Sequence, residues 1–236
     1  MIFFDIDETL LDFKGAEYLG AAAFYNKFKE LFRMNVNEFY DQWCSIGKVH
    51  FTRYLNGDLT FEEQKIKRIK EIFELAEITM DDLQASQYFE IYLTHFEENW
   101  TAFDDVIPCL KELSEYRLGI ITNGDVTQQK QKLQKMGISD YFEVIVSAGA
   151  AGAAGVAKPD SKIFELACKK ATVKPTECFY VGDNVKADIL ACEQIHMKGI
   201  WLNRKNHKNE FQVPYINSLY ELKHKIEELN YLVAAK

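Results

Sequence analysis

Five short apolar runs recur along the 236 residues, and each closes on a polar or glycine-bearing tip. They are Ile2-Phe3-Phe4, Leu118-Gly119-Ile120-Ile121, Val144-Ile145-Val146, Cys178-Phe179-Tyr180-Val181 and Ile200-Trp201-Leu202. Their tips are, in turn, Asp5 and Asp7; Thr122 and Asn123; Ser147; Gly182 and Asp183; and Asn203. Runs that are apolar throughout, rather than alternating, predict strands buried on both faces. Helical patterns fall between the last four, over about 126–136, 160–171 and 185–194, the second led in by Pro159 with Asp160 or Ser161 as N-cap. Strand and helix in alternation imply a parallel sheet covered on both faces, whose ligands sit beyond the carboxyl ends of its strands. The polar tips are therefore where chemistry is expected.

From about 14 to 100 the rhythm changes. Ile66, Ile69, Lys70, Ile72 and Phe73 keep the three-and-four spacing of an amphipathic helix, as do Tyr88, Phe89, Tyr92, Leu93 and Phe96, and no strand-like run occurs. This predicts a helical cap domain, 14–100, inserted into an α/β core made of 1–13 and 101–236. The core resumes with a helix over about 104–116 and closes with another in which Leu219, Leu222, Ile226 and Leu229 share a face. Ala148 to Ala154 reads AGAAGAA, which predicts a loose loop carrying no side chain able to bind or catalyse.

Composition narrows the class. Hydrophobic residues at 47% and aromatics at 14% are too plentiful for a disordered chain. A formal charge of −8 repels polyanions, so no nucleic-acid polymer is expected as partner, and a small anionic ligand would need a local positive site. The five cysteines are odd in number and never spaced CxxC, and the histidines show neither HxH nor HExxH, so thiols in a reducing compartment are expected rather than disulfides or zinc. Asp5, Asp7 and Glu8 interrupt the first apolar run, unlike a signal peptide, and no stretch approaches the ~20 apolar residues of a membrane helix. A cytoplasmic protein without membrane contact is the expectation. The oligomeric state is not readable.

The candidate chemistry lies at the tips. In Asp5-Ile6-Asp7-Glu8-Thr9, alternation along an extended chain would point both aspartates the same way, so two carboxylates would crowd one spot. Environments that differ between them would allow one to act as nucleophile and the other as general acid and base. Thr122-Asn123-Gly124 offers a hydroxyl and backbone N–H groups where a helix begins, a setting that favours anions, though it is also simply a good turn. Lys158-Pro159-Asp160 places a cation before a helix, and Val181-Gly182-Asp183, with Asp188 five residues on, adds two carboxylates that also suit a helix macrodipole. Hard carboxylate oxygens without nitrogen or sulfur suit Mg²⁺. Four aspartates and one lysine sum to −3, which repels a phosphate dianion, and Mg²⁺ brings the cluster to −1. The metal is thus required of any phosphate site here.

Taken together and in order, DxDxT, the threonine tip, the lysine and the GD…D strand end resemble the haloacid-dehalogenase superfamily across the whole core. The resemblance implies a Rossmann-like fold and a Mg²⁺-dependent phosphohydrolase. In it Asp5 attacks phosphorus and becomes an aspartyl-phosphate, and Asp7 protonates the leaving group and then activates water. Thr122 and the amides beside Asn123 and Gly124 hold the phosphoryl group, and Lys158 stabilises its charge. Asp5, the carbonyl of Asp7 and Asp183 hold Mg²⁺, with Asp188 behind them. Dehalogenating members differ at the second motif position and lack the GD…D pattern, so Asp7, Asp183 and Asp188 argue for phosphate. A non-catalytic module that binds phosphorylated ligands on the same fold is a further alternative.

Several phrases are similar to the bacterial pyrimidine 5′-nucleotidase-like phosphatases: Phe3-Phe4-Asp5 with Asp7-Glu8-Thr9-Leu10, Ile120 to Gly124, Gly155-Val156-Ala157-Lys158-Pro159 and Trp201-Leu202-Asn203. Glu8 stands where many relatives place glycine. The resemblance implies a small phosphorylated metabolite as substrate, such as a nucleoside monophosphate, with sugar phosphates or phosphoglycolate-like esters as the alternative. Selection is expected of cap side chains, with Trp43, Phe51 and Tyr54 able to stack on a base or else to serve as core. The AGAAGAA run departs from the usual shorter, acidic connection, and lower activity would follow if that connection normally touches substrate.

Overall fold

In the computed structural model, which describes residues 1–148 and 156–234, the apolar runs become strands of one sheet. β1 spans Ile2–Phe4 and is followed by four helices, α1 (Phe13–Phe28), α2 (Val36–Leu55), α3 (Phe61–Glu74) and α4 (Asp82–Glu98). The chain continues through α5 (Val106–Glu112), β2 (Leu118–Thr122), α6 (Val126–Lys135), β3 (Val144–Ser147) and α7 (Lys162–Ala171). It ends with β4 (Phe179–Gly182), a π-helical turn at Val185–Ile189, α8 (Leu190–Glu193), β5 (Lys198–Leu202), β6 (Tyr215–Ile216) and α9 (Leu222–Ala234). The AGAAGAA segment lies almost wholly outside the described residues.

Two compact units result: one comprises 1–12 and 101–236, the other 13–100. In the first, all strands pair in parallel in the order β3-β2-β1-β4-β5-β6. The chain winds outward from β1 in one direction and then restarts at β4 on its other side. The switch point between β1 and β4 is where an open α/β sheet leaves a crevice. The strands are short because each needs only to cross the core, and Ile2, Phe3, Phe4, Ile120, Ile121, Tyr180, Val181 and Ile200 are all fully buried.

The second unit is helical, as its spacing predicts. Helices α2, α3 and α4 start on side-chain caps: Asn35 and Thr60 each close a capping box with a glutamate three residues on, and Asp81 accepts from the Gln84 N–H. Its interior is aromatic. Trp43, offered above as a stacking surface, is 1% exposed and packs 4.4 Å from the Tyr92 ring, with the Arg68 guanidinium 4.7 Å from the Trp43 ring. Within this unit Trp43 is core, while Phe51 and Tyr54 are half-buried.

Candidate active site

The tips of β1 and β4 meet because the strands are neighbours. The Asp5 N–H still donates to the Val181 carbonyl at 2.9 Å, which ties the first residue after β1 to β4. Beyond that bond, Asp5 from β1, Asp183 from β4 and Asp188 from the π-helical turn offer carboxylate oxygens within 4.8 Å of one another. Gly182 lets Asp188 return this closely, since a Cβ at 182 would run into the Asp188 carboxylate.

Lys158 pairs with two of the three carboxylates. Its side chain is 4% exposed, and its Nζ lies 2.9 Å from Asp5 and 2.7 Å from Asp188. A third bond, of 2.8 Å, runs from Nζ to the Tyr180 hydroxyl, which itself donates to the Ile121 carbonyl at 2.8 Å. The remaining Asp188 oxygen accepts the Asn184 N–H at 3.0 Å. What delivers Lys158 here is Asn123, whose side-chain amide donates to the Lys158 carbonyl at 2.9 Å and accepts its N–H at 2.8 Å. The Asn123 side chain, at a tip expected to hold ligand, is thus spent on aiming the lysine. The Trp201 indole donates to the Asp183 carbonyl at 2.9 Å and steadies that tip from β5.

The electrostatics describe a site short of positive charge. Burial, then repulsion from Asp5 and Asp188, pushes the Asp183 carboxyl up to about 8. Burial also lifts Asp5 to about 6, against the pull of Lys158 and with Asp188 and Asp7 adding repulsion. For Lys158, burial opposes the charge, but Asp188 and Asp5 outweigh it and hold the ammonium above the ordinary lysine range. Three hard carboxylates, with Asp5 and Asp183 costly to ionise, form a donor set that fits a small divalent cation, because the cation removes that cost.

Asp7 is placed differently from what strand alternation predicts. β1 ends at Phe4, Glu8 turns with φ of 61°, and the chain folds back so that the Glu8 N–H donates to Leu11 at 2.9 Å. The Asp7 carboxylate consequently stands outside the Asp5, Asp183 and Asp188 group and faces α6. There it forms an ion pair with Lys132 Nζ at 2.7 Å and accepts from Gln129 Nε2 at 3.3 Å. The same Gln129 amide reaches the Thr122 hydroxyl at 2.6 Å, so the second tip is tied to α6 as well. The Gly124 N–H lies 3.5 Å from that hydroxyl, and its carbonyl accepts from Ser147 at the tip of β3.

Lys132, Gln129 and Tyr180 are absent from the sequence-based set. A signal for the first two does exist. In α6, Gln129, Lys132 and Leu133 are the buried residues, and a core-facing stripe that is two-thirds polar is out of place unless its polar groups have buried partners. Counting Lys132 adds one positive charge to the earlier tally.

The sequence matches the model of the haloacid dehalogenase-like hydrolase family over residues 1–196. It is 26% identical over 226 residues to the pyrimidine 5′-nucleotidase YjjG of Escherichia coli (strain K12), covering 94% of this chain and 95% of the relative. It is 24% identical over 225 residues to the human N-acylneuraminate-9-phosphatase, covering 86% and 82%. Among solved structures, the magnesium-bound YfnB of Bacillus subtilis superposes with a TM-score of 0.75 at 22% identity, over 94% of this chain and 96% of that one.

Proposed function

The chain belongs to the haloacid dehalogenase-like hydrolases, and from that membership we propose that it is a Mg²⁺-dependent phosphomonoester hydrolase working through an aspartyl-phosphate on Asp5. The observation that carries the reading is the convergence of Asp5, Asp183 and Asp188 within 4.8 Å, with Lys158 bonded to two of them. A cluster so rich in buried acid is poorly suited to apolar substrates and well suited to a cation with a phosphate. Two phosphatases resembling the chain along most of its length support the same class.

Asp5 and Asp183, with the Asp7 carbonyl, would hold Mg²⁺, while the bonds of Asp188 to Lys158 and the Asn184 N–H suit it to orienting rather than ligating. When bound, Mg²⁺ supplies Lewis-acid stabilisation to the phosphoryl oxygens. Asp5 supplies the attacking oxygen, and its Oδ–P bond forms as the bond from phosphorus to the leaving oxygen breaks. Lys158 neutralises charge shared between Asp5 and the transferring group, and the Thr122 hydroxyl with the amides near Gly124 orients its oxygens. Asp7 gives its proton to the leaving oxygen and takes one back from the water that releases phosphate from Asp5.

Nucleoside 5′-monophosphates are the proposed substrates, on the strength of the near full-length similarity to the E. coli nucleotidase, and the cytoplasm is the proposed compartment, which suits five free thiols. The test is phosphate release from nucleoside and sugar monophosphates with Mg²⁺ and with excess chelator. Expected are release with Mg²⁺ only, strongest on a nucleotide, and a loss of about 10⁴-fold or more in Asp5→Asn, whose amide is no nucleophile. Silence across the panel would overturn the phosphatase reading.

A further inference from the structure

Lys132 sits in the middle of α6, and its side chain is 2% exposed, the deepest lysine of the ion pairs in this unit. Burying an ammonium is costly unless it is paired, so the group it pairs with decides what it is for. Its carboxylate partner is Asp7 Oδ1 at 2.7 Å, whereas among the described residues Asp7 Oδ2 has the longer 3.3 Å contact to Gln129. Gln129, completely buried one turn earlier on α6, has its shorter bond to Thr122 at 2.6 Å. The two oxygens of Asp7 are therefore unequal: one is anchored by a charge and the other is lightly held.

We propose that Lys132 is a positioning residue for proton transfer, anchoring Asp7 Oδ1 so that Oδ2 is the atom that gives a proton to the leaving oxygen and takes one from water. The inference rests on the phosphatase reading above. In the first half-reaction the Oδ2–H bond breaks as the leaving oxygen gains that proton and loses phosphorus. In the second, water loses a proton to Oδ2 as its oxygen bonds to phosphorus and the Asp5–phosphorus bond breaks. Lys132 exchanges no proton in either. Lys158, by contrast, pairs with the nucleophile, so Lys132 and Lys158 divide the two aspartates of the DxD tip between them.

An ion pair that merely held α6 in place would lower turnover of every substrate alike. A positioning role separates substrates by leaving group in the first half-reaction, because an aryl phosphate departs without a proton and an alkyl phosphate does not. The experiment compares kcat/KM, which reports transfer to Asp5 and not the hydrolysis step that both substrates share, for p-nitrophenyl phosphate and uridine 5′-monophosphate in the wild type, Lys132→Met and Lys132→Arg, with melting temperature as the check on folding. Expected in Lys132→Met is a loss of roughly 100-fold on the nucleotide and less than about fivefold on the aryl ester, the range that general acid–base catalysis supplies. Lys132→Arg should recover most of the nucleotide rate. Equal losses on both substrates, or none on either, would overturn the proposal while leaving the phosphatase reading intact. A wild type inactive on both would remove that reading and this inference together. If Lys132→Met does not fold, Lys132→Gln, which keeps a donor without the charge, is judged by the same ratio.

Discussion

Asp183 and Asp5 carry a consequence that can be measured without any substrate. Their carboxyls, raised to about 8 and about 6 by burial and by repulsion from neighbouring carboxylates, bind protons in the folded protein that they have already lost in the unfolded chain above pH ~4. Without a cation, the folded state thus loses stability as pH rises from about 4 to about 8, since the native form holds more protons across that window. A divalent cation competes with those same protons. The rise in melting temperature on adding Mg²⁺ should therefore be small at pH 5, grow through pH 7 and level off above about 8. A shift independent of pH would show that these carboxylates do not meet the ion. At this scale the sequence was informative where chemistry sits on a strand tip: Asp5 and Asp183 could be picked from position and lie together, Lys158, singled out by the resemblance, pairs with Asp5, and Thr122 is tied instead to α6. Lys132 and Gln129 escaped because surface lysines and glutamines on a helix look the same as buried ones. Only the polar make-up of the inward stripe sets them apart.

Helix α6 shows what an element contributes to a site. It has few apolar residues, so its stability leans on its start, where Asp125 accepts the Thr127 and Gln128 N–H groups at 2.9 and 3.0 Å. Replacing Asp125 by alanine should cost about 1 kcal/mol, read as a lower urea midpoint with an unchanged slope. Turnover should fall modestly, because Gln129 and Lys132 ride on the turns that this cap secures. Unaltered stability would mean that packing by Leu133 alone holds the helix. Strand positions were legible because fully buried parallel strands are apolar along their whole length. β6, with two residues, Tyr215–Ile216, is too short to leave such a run. The expected helix at 185–194 opens instead as a π-helical turn over Val185–Ile189, and that widened turn carries Asp188 back to Lys158. No periodicity announces it, and the ion pair that Asp188 makes from it is to a residue 30 positions away in sequence. The helix expected over 104–116 is shorter, Val106–Glu112, as the buried Val106, Cys109 and Leu110 need only two turns.

Across the molecule, the interruption of the strand rhythm between 14 and 100 predicts an inserted helical domain, and contacts along the chain group residues 13–100 apart from the rest. Such an insertion leaves the sheet-bearing unit with a problem, because its opening segment, residues 1–12, is separated from its remainder and must be fastened to it. β1 supplies the central strand, and Arg204 supplies a second fastening outside the sheet. Its guanidinium donates to the Thr9 carbonyl at 2.8 Å and to both Asp105 oxygens at 2.8 and 2.9 Å, and it lies 3.9 Å from the Phe103 ring centre. Asp105 in turn accepts the Ser218 hydroxyl and the Leu219 N–H, so one ion pair joins the first loop, the start of α5 and the C-terminal segment. Burial alone would raise the Asp105 carboxyl, but bonds from Arg204, Ser218 and Leu219 hold it below the usual range. The stability this contributes is present above the unfolded value near 4 and is lost as pH falls through the lower folded value. Arg204→Met, which leaves Asp105 buried without its cation, should cost about 3 kcal/mol and move acid unfolding to higher pH. Arg204→Lys should recover little, since an ammonium cannot span two carboxylate oxygens and a carbonyl with the same planar fork. Urea midpoints at pH 7 and acid titrations followed by circular dichroism measure both effects. If Arg204→Met left both midpoints where they were, β1 alone would suffice to hold the first segment in the sheet.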